Sequence, residues 1–378
     1  MNVIFTCGGT GGHINPAIAV ANIWRERHPE DKILFIGGRN HMEEELVPRA
    51  GYEIVTFPAA AVDREFSWPA LKQNALAFKR IVTGLFGCMK VIRDFKPHVM
   101  IGTGGYTSFM PLLAAKLCGV PTCVHEANAL PGLANRMAAK FVDRVLICFP
   151  ESANRYDHPE RTEVVGMPVR REFIYNKKED SRRELGLGDK PLVVSAFGSQ
   201  GAQEMNLAVA ELFRLEQEAG FPFHHIHAVG SYGWEWMPEE VKKKGVDLSK
   251  SPDIDMREFI YNMPTVLTAA DVVISRAGSS SCNEIAATGT PCILIPSPNV
   301  TDNHQEKNAR ALEAQGGAVV LLETECTGQR LMQEITAILA DKERQAKMHS
   351  ALQRMSVPDS AERICDVMEK LARSKAKE

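Results

Sequence analysis

One unit of sequence occurs twice in this chain of 378 residues: a short apolar run, a glycine-rich turn and the pattern of a helix. The first copy starts with the apolar run Asn2–Cys7 and continues into glycines at positions 8, 9, 11 and 12. The second copy starts with the apolar run Leu192–Phe197 and continues into Gly198 and Gly201. A doubly wound parallel sheet opens with this strand, turn and helix. Two openings 190 residues apart therefore predict an α/β protein with two Rossmann-like domains and a cleft between them.

Short apolar runs alternate with helical patterns through both halves, which is typical of βαβ units and parallel sheets. The further runs predicted to be strands are Lys32–Ile36, Ile54–Phe57, His98–Ile101, Thr122–His125 and Arg144–Cys148 in the first half, and His224–Val229, Asp271–Ser275 and Pro291–Pro296 in the second. A helix is predicted from about Pro16 to Arg27, and another from Ala361 to Lys377.

Composition excludes several classes of protein. The 44 Lys and Arg residues nearly balance the 47 Asp and Glu residues, which argues against nucleic acid as the partner. No apolar stretch reaches the roughly 18 residues of a membrane span. The nine cysteines are scattered without a CxxC pair or zinc spacing, so we expect each cysteine to be a small residue of the core.

The segment Asp253-Ile254-Asp255 resembles a metal-binding DxD motif. We expect this segment to lie in a polar loop over Ser249–Asp255, and we predict no metal site.

Two glycine-rich turns in the first half, Gly8–His13 and Gly102–Tyr106, each follow a strand and precede a helix. Glycine lets backbone N–H groups approach a ligand, and a helix N-terminus stabilises an anion. Neither turn has GxGxxG spacing, and Gly37-Gly38-Arg39 stands where a dinucleotide site would place an acidic residue. The two turns therefore favour a pyrophosphate held between two helix N-termini over a nicotinamide dinucleotide.

Three further polar segments follow predicted strands, at the edge where open α/β sheets bind ligands. In Arg276–Glu284 the serine-rich turn suits a phosphate, and Glu284 suits a ribose diol. The amide side chains of His304–Asn308 suit sugar hydroxyls, unless the segment is only a solvent-facing helical turn. His125–Asn128 offers three polar groups to a ligand, although His125 could equally be a core histidine.

A helix is also predicted over residues 71–93, preceded by Trp68. Its wide apolar face is interleaved with the basic residues Lys72, Lys79, Arg80, Lys90 and Arg93. Such a helix is either an ordinary core-facing helix or one that lies in the surface of an anionic bilayer.

Seven motifs occur in order: GGTGGH at 8–13, GTGGYTS at 102–108, HEAN at 125–128, GMPVR at 166–170, GSQGA at 198–202, RAGSSSCNE at 276–284 and NHQEKNA at 303–309. Over nearly the whole chain they resemble the MurG family, the bacterial UDP-N-acetylglucosamine–N-acetylmuramyl-(pentapeptide) pyrophosphoryl-undecaprenol N-acetylglucosamine transferases of peptidoglycan synthesis. The resemblance implies the GT-B fold. It also implies a membrane-facing acceptor domain of residues 1–164 plus 358–378 and a UDP-sugar domain of residues 165–357.

The activity that the resemblance implies is an inverting transfer of N-acetylglucosamine from UDP-N-acetylglucosamine to the 4-hydroxyl of the undecaprenyl-linked muramyl-pentapeptide. The implied enzyme is peripheral to the cytoplasmic face of the bacterial cell membrane, contacts its anionic surface and uses no cofactor and no metal. His304 departs from the family pattern, which often has a second glutamine there, and Met167 stands where an asparagine is usual.

The resemblance further implies roles for single residues. His13 is expected to be the catalytic base, with Glu126 and Asn128 bordering the reacting centre. The expected acceptor contacts are Gly11, Gly12, His13, Gly104, Gly105 and Tyr106. The expected contacts to UDP-N-acetylglucosamine are Thr10, Gly11, Gly12, Asn128, Arg170, Ser199, Phe259, Ile260, Ser279, Ser280, Ser281, Glu284, His304 and Gln305.

Two other activities share this architecture. One is UDP-sugar transfer to a diacylglycerol or small-molecule acceptor, which would have no use for two glycine turns in the first half. The other is a UDP-N-acetylglucosamine 2-epimerase, which needs acid and base carboxylates near C2 and C3 of one sugar. The first-half turns favour an acceptor that carries a pyrophosphate.

Overall fold

The computed structural model of the protein describes residues 1–58, 83–128, 130–300 and 303–375. The chain divides into two compact units, Met1–Arg170 with Val357–Glu378, and Arg171–Ser356. The first unit thus extends six residues beyond the boundary expected after residue 164. It does so because Val165 is buried in the core of the first unit and its N–H donates to the carbonyl oxygen of Ile147 at 3.0 Å.

The first unit contains a parallel sheet whose described strands lie in the order β3-β2-β1-β4-β5-β6-β7. The strands are β1 (Asn2–Thr6), β2 (Lys32–Gly38), β3 (Glu53–Phe57), β4 (Val99–Gly102), β5 (Thr122–Glu126), β6 (Arg144–Ile147) and β7 (Thr162–Val164). The helices are α1 (Gly11–Arg27), α2 (Glu43–Arg49), α3 (helical residues 83–95), α4 (Tyr106–Leu117) and α5 (Leu133–Ala138). Of the helix predicted over 71–93, residues 83–93 are helical, whereas Trp68 and residues 71–82 lie outside the described residues.

The second unit contains a parallel sheet in the order β10-β9-β8-β11-β12-β13. The strands are β8 (Leu192–Ala196), β9 (His224–Ala228), β10 (Ile254–Arg257), β11 (Val272–Ser275), β12 (Cys292–Leu294) and β13 (Ala318–Val320). The helices are α6 (Glu172–Tyr175), α7 (Lys178–Glu184), α8 (Gln203–Glu218), α9 (Met237–Lys243), α10 (Met263–Ala269), α11 (Ser279–Thr288), α12 (His304–Ala314), α13 (Gly328–Ala340) and α14 (Lys342–Met355).

The two sheets repeat one topology. Counted from its own opening strand, each sheet begins 3-2-1-4-5-6, the doubly wound order. Ile4 of β1 lies opposite Leu34 and Met100, and Val194 of β8 lies opposite Ile226 on one side. Strand order therefore reverses beside β1 and beside β8, and the carboxyl ends of strands at such a reversal are where doubly wound sheets bind ligands. The predicted pair of Rossmann-like sheets is confirmed.

The last helix, α15 (Ser360–Lys375), belongs to the core of the first unit. Ile364, Cys365 and Met368 are fully buried in the cluster that contains the apolar face of α1. Arg27 at the end of α1 forms an ion pair of 2.6 Å with Asp366. The predicted C-terminal amphipathic helix is confirmed and serves as an outer layer of the first sheet.

Several local predictions were wrong. α1 begins at Gly11 rather than near Pro16, and the loop predicted over Ser249–Asp255 ends in β10. Asp253 pairs with Lys190 at 2.9 Å and Asp255 with Arg257 at 2.5 Å, so both carboxylates of the DxD are held by basic side chains.

In the part of the chain that the structure describes, no group of His, Cys, Asp and Glu could hold a metal ion, and no helix is long and apolar enough to cross a membrane.

A chain of buried polar side chains joins β8, β9 and α8 in the second unit. Ser195 Oγ lies 2.7 Å from both His225 Nε2 and His227 Nδ1, and His225 Nδ1 lies 2.7 Å from Glu216 Oε1. All four side chains are fully buried or nearly so. The distances fit one directional chain, in which His227 donates to Ser195, Ser195 to His225 and His225 to the Glu216 carboxylate.

Candidate active site

Two helices of the first unit begin side by side at the carboxyl ends of β1 and β4. α1 follows the extended residue Thr10, and α4 follows Gly105. Neither N-terminus is capped by its own N-cap side chain, and neither helix has an acidic residue in its first turn. The N–H groups and positive dipole ends of both helices are thus available to stabilise an anion at this edge.

The two glycine turns touch so closely that side chains would not fit between them. A Cβ on Gly105 would lie 2.2 Å from the carbonyl oxygen of Gly8, and a Cβ on Gly104 would lie 2.7 Å from His13 Nδ1. Both glycines also have positive φ, +104° at Gly104 and +83° at Gly105. The structure therefore brings the expected acceptor residues of the two turns together, and glycine is required at both positions.

Tyr106 stands at the first position of α4 with 47% of its surface exposed. Its hydroxyl lies 2.9 Å from His41 Nε2, and the two rings meet edge to face. Desolvation, together with the nearby Glu43 carboxylate, raises the pKa of the Tyr106 phenol. The phenol is therefore protonated at neutral pH, and its one O–H can donate either to His41 or to a ligand oxygen.

His13 lies in the first turn of α1 and is half-buried. Its Nδ1 is 3.2 Å from the carbonyl oxygen of Thr103, while the Thr103 hydroxyl donates to the His13 carbonyl oxygen at 2.6 Å. Burial lowers the pKa of His13, against the raising effects of Glu126, the Thr103 carbonyl and Glu43. The ring is therefore neutral at pH 7, as a base must be.

Glu126, at the end of β5, is buried and turned inward. Its Oε1 accepts from the backbone N–H and side-chain amide of Asn128 at 2.9 and 3.0 Å. Its Oε2 accepts from Gly132 N–H at 3.0 Å and Asn135 Nδ2 at 2.8 Å. Four hydrogen bonds thus make Glu126 the anchor of the loop that carries the half-buried Asn128.

His125, which precedes Glu126, is a core histidine rather than a ligand-binding one. Its side chain is fully buried, and Nε2 lies 2.9 Å from the carbonyl oxygen of Gly166. Burial lowers the pKa of His125 to about 4, so the ring is neutral.

Three residues of this first site were not predicted from the sequence: Glu43, Thr103 and Asn135. The Glu43 carboxylate binds the Gly8–Gly9 turn, Thr103 holds His13, and Asn135 holds Glu126. Glu43 and Asn135 are acidic and amide residues on short helices, and only tertiary packing identifies their contacts.

In the second unit, the turn after β8 is locked against the turn after β9. A Cβ on Gly201, which has φ +79°, would lie 2.1 Å from the carbonyl oxygen of Val229. Ser231 N–H donates to the carbonyl oxygen of Ser199 at 3.1 Å. Ser199 is therefore fixed at the carboxyl end of β8, where the sequence predicted it.

α11 begins at Ser279 after β11 and has no N-cap side-chain bond and no acidic residue in its first turn. Ser280 and Ser281 continue this turn and are half-buried. One turn further, Glu284 accepts from Ser280 Oγ at 3.3 Å. The serine turn and Glu284 are thus on one helix that follows β11, the neighbour of β8, as the sequence predicted.

The other expected contacts to UDP-N-acetylglucosamine in the second unit lie at the same edge of its sheet. Gln305, in the first turn of α12 after His304, accepts from Ser297 N–H through Oε1 at 2.9 Å. After β10, Phe259 is half-buried against Tyr261 with ring centres 4.9 Å apart, whereas Ile260 is buried. The remaining expected contacts belong to the first unit: half-buried Arg170, which is its last residue before Arg171, together with Thr10, Gly11, Gly12 and Asn128.

Comparisons with known proteins identify the family. The model of the glycosyltransferase family 28 N-terminal domain matches residues 3–147, and that of the C-terminal domain matches residues 192–364. A UDP-N-acetylglucosamine–N-acetylmuramyl-(pentapeptide) pyrophosphoryl-undecaprenol N-acetylglucosamine transferase from Acetivibrio thermocellus is 38% identical over 377 residues and covers 100% of both chains. The enzyme of the same name from Caldanaerobacter subterraneus subsp. tengcongensis is 40% identical over 365 residues, 96% of this chain and 98% of its own.

The chain belongs to the MurG family of these transferases, within glycosyltransferase family 28. Among solved structures, Acinetobacter baumannii MurG matches with a TM-score of 0.69 at 23% identity, covering 98% of this chain and 99% of its own. A Neisseria meningitidis UDP-GlcNAc 2-epimerase bound to UDP-GlcNAc matches at 0.66 and 15% identity, covering 98% and 100%. These structures confirm the GT-B fold, which MurG enzymes and epimerases share, so membership of the MurG family rests on the sequence relatives.

Proposed function

We propose that the protein transfers N-acetylglucosamine from UDP-N-acetylglucosamine to the 4-hydroxyl of undecaprenyl-pyrophosphoryl-N-acetylmuramoyl-pentapeptide, with inversion at the anomeric carbon. Full-length relatives at 38 and 40% identity carry the name of this activity. The observation that carries the proposal is the pair of uncapped helix N-termini, α1 and α4, beside a neutral histidine. An acceptor that carries a diphosphate next to its reacting sugar would place the diphosphate at these two helix N-termini and the sugar hydroxyl at the histidine.

On the acceptor side, the diphosphate lies at the first turns of α1 and α4, where Gly11, Gly12 and Tyr106 offer N–H groups. His13 is the base. Because the Thr103 carbonyl can only accept, Nδ1 carries the proton and Nε2 keeps its lone pair for the acceptor hydroxyl. General-base catalysis of this kind contributes about 10²- to 10⁴-fold to the rate.

On the donor side, the N-terminus of α11 with Ser279, Ser280 and Ser281 stabilises the departing UDP diphosphate. Ser199 and Arg170 add polar and positive groups to the diphosphate, and Thr10, Gly11, Gly12 and Asn128 border the sugar. Glu284, oriented by Ser280, holds the ribose diol. Phe259 and Ile260 flank the uracil. Gln305 and His304 meet the hydroxyls of N-acetylglucosamine, Gln305 through its NH₂ group because its oxygen already accepts from Ser297.

The chemical step is a single displacement. The acceptor O4 forms a bond to C1 of N-acetylglucosamine while the bond from C1 to the UDP phosphate oxygen breaks. The hydroxyl proton moves to His13 Nε2, and UDP leaves with the electron pair of the broken bond. One displacement inverts C1. The atoms of both substrates are accounted for in the glycoside, in UDP and in the proton on His13, which passes to solvent before the next turnover.

We propose that the enzyme binds peripherally to the anionic cytoplasmic face of the cell membrane. On α3, Phe86, Lys90 and Arg93 follow each other at helical spacing, and all three are exposed, Phe86 by 64%. An exposed aromatic ring followed by two cations on one helix suits the surface of an anionic bilayer.

The experiment that tests the activity measures UDP formed from UDP-N-acetylglucosamine with and without the prenyl-pyrophosphoryl acceptor. We expect UDP only when both substrates are present. UDP formed with diacylglycerol in place of that acceptor would support lipid glycosylation instead. Conversion of UDP-N-acetylglucosamine to its 2-epimer without acceptor would identify an epimerase.

A further inference from the structure

A carboxylate is buried beneath the first glycine turn. Glu43 opens α2 and is fully buried, although its neighbours Glu44 and Glu45 on the same turn are exposed. Its Oε2 accepts from Gly9 N–H at 3.2 Å, and its Oε1 accepts from Gly38 N–H at 2.9 Å. Both of these donors are uncharged backbone N–H groups, so the main chain of the Gly8–Gly9 turn and of β2 holds this side chain.

Three glycines make room for this side chain. A Cβ on Gly8 would lie 2.2 Å from Glu43 Oε1, a Cβ on Gly37 would lie 2.7 Å from Glu43 Cγ, and a Cβ on Gly38 would lie 3.2 Å from Oε1. Gly8 follows β1, while Gly37 and Gly38 end β2. These three glycines therefore leave the space in which the buried Glu43 carboxylate packs. The N–H of Gly9 already donates to that carboxylate, so it does not donate to a ligand.

The braced turn leads directly into the residue assigned as the base. From Gly9 the chain passes through Thr10, whose carbonyl oxygen accepts from His13 N–H at 3.0 Å and from Ile14 N–H at 3.2 Å. These bonds set where the first turn of α1 starts. A shift of the Gly8–Gly9 turn would therefore move His13 away from the Thr103 carbonyl.

We propose that Glu43 is a positioning residue for His13, whose carboxylate ties the Gly8–Gly9 turn to the end of β2 and places the imidazole at the reacting hydroxyl. This role rests on the transfer reaction proposed above. Misplacement of a reacting group by about 1 Å costs on the order of 10²-fold in rate. Glu43 itself touches neither substrate.

Glu43 also acts on His13 through its charge. The groups that face the imidazole are the carboxylates of Glu126 and Glu43, the carbonyl of Thr103 and the ring of His125. Burial lowers the pKa of His13, and both carboxylates oppose this effect. Loss of the Glu43 charge should therefore lower the pKa of His13 further and keep the base active at lower pH.

Two substitutions separate position from charge in the full-length enzyme. Glu43→Gln removes the charge and offers an NH₂ group to a backbone N–H, which cannot pair with it. We expect kcat to fall by about 10- to 100-fold, with little change in the KM for UDP-N-acetylglucosamine. We also expect the acid limb of the pH profile of kcat/KM, which reports protonation of the base, to move to lower pH. Glu43→Asp keeps the charge but shortens the side chain, so kcat should fall while the acid limb stays in place.

Glu45→Gln is the matched control, because Glu45 is exposed on the same helix and pairs with Arg49, one turn away. It should leave kcat and the pH profile unchanged. A folded Glu43→Gln enzyme with unchanged kcat and unchanged acid limb would overturn the proposal, and if that variant does not fold, Glu43→Asp with full kcat would do so. Absence of transfer by the unsubstituted enzyme would instead refute the proposed function.

Discussion

His13 Nδ1 and the carbonyl oxygen of Thr103 lie 3.2 Å apart, across the gap between the turns that follow β1 and β4. The contact selects one tautomer, with the proton on Nδ1 and a lone pair on Nε2. The contact also links the base to the second glycine turn, so the position of His13 depends on both glycine turns.

Replacing His13 by alanine removes the proposed base without disturbing the second unit. We expect kcat to fall by about 10²- to 10⁴-fold and the KM for UDP-N-acetylglucosamine to stay nearly constant. Steady-state kinetics with both substrates varied gives the two values. His158→Ala, at an exposed histidine that contacts Glu160, is the control. Unchanged turnover of the His13 variant would remove His13 from the chemistry.

A methyl group at Gly105 should separate the two turns. Its Cβ would lie 2.2 Å from the Gly8 carbonyl, and the backbone there has a positive φ. We therefore expect Gly105→Ala to raise the KM for the lipid acceptor while UDP still binds normally. Gly132→Ala is the control, because among the residues that the structure describes a Cβ on Gly132 meets no atom within 4 Å. Equal acceptor KM values in the two variants would contradict the role of the close contact.

Glu284→Ala should weaken nucleotide binding. A hydrogen bond to a charged group is worth about 1.5–3 kcal/mol, so loss of the ribose contact should raise the Kd for UDP by about tenfold or more. Calorimetric titration with UDP measures this directly. Glu239→Ala, at an exposed position of α9, should bind UDP like the unsubstituted enzyme. Undiminished UDP binding by the Glu284 variant would place the ribose elsewhere.

The buried histidine of the second sheet predicts how stability depends on pH. Burial lowers the pKa of His227 to about 3, whereas the unfolded chain takes up a proton near pH 6.5. Below pH 6.5 the unfolded state binds the extra proton, so the free energy of unfolding falls by up to ~1.4 kcal/mol per pH unit until about pH 3. Burial raises the pKa of Glu216, which offsets part of this loss.

His227→Gln should flatten this dependence, because the substituted side chain does not titrate and Glu216 is retained in both proteins. Urea denaturation at a series of pH values from 7 to 4 gives the two slopes. His158→Gln should keep the steeper slope, since His158 is exposed. Identical slopes for the His227 variant and the unsubstituted protein would contradict the assignment of a neutral, buried His227.

The long apolar strands and the glycine turns were predictable from sequence because their signals are local. β1 and β8, 190 residues apart, were found from an apolar run followed by glycines. The strands β7, β10 and β13 were missed, since each has only three or four residues and β7 and β10 contain exposed positions. Pairing with a neighbouring strand, rather than any apolar pattern, makes these segments extended.

For the candidate site, the sequence could place polar residues at the edge of a sheet. It could not tell which of several neighbouring polar residues is buried and which is accessible to a ligand. His125 and Glu126 follow one strand and carry equally polar side chains, yet the structure buries both and leaves Asn128 half-buried. Glu43 gave no signal at all, because it lies 34 residues from the turn it braces. Such contacts depend on how α2 packs on the sheet, which no local pattern encodes.

The most direct measurement of the central claim is the structure of the product. The enzyme is incubated with UDP-N-acetylglucosamine and the prenyl-pyrophosphoryl muramyl-pentapeptide, and the lipid product is analysed by mass spectrometry and proton NMR. We predict a mass gain of one N-acetylglucosamine residue and a β-configured bond to the 4-hydroxyl. An unmodified acceptor, or a product with the α configuration, would contradict an inverting transfer to this acceptor.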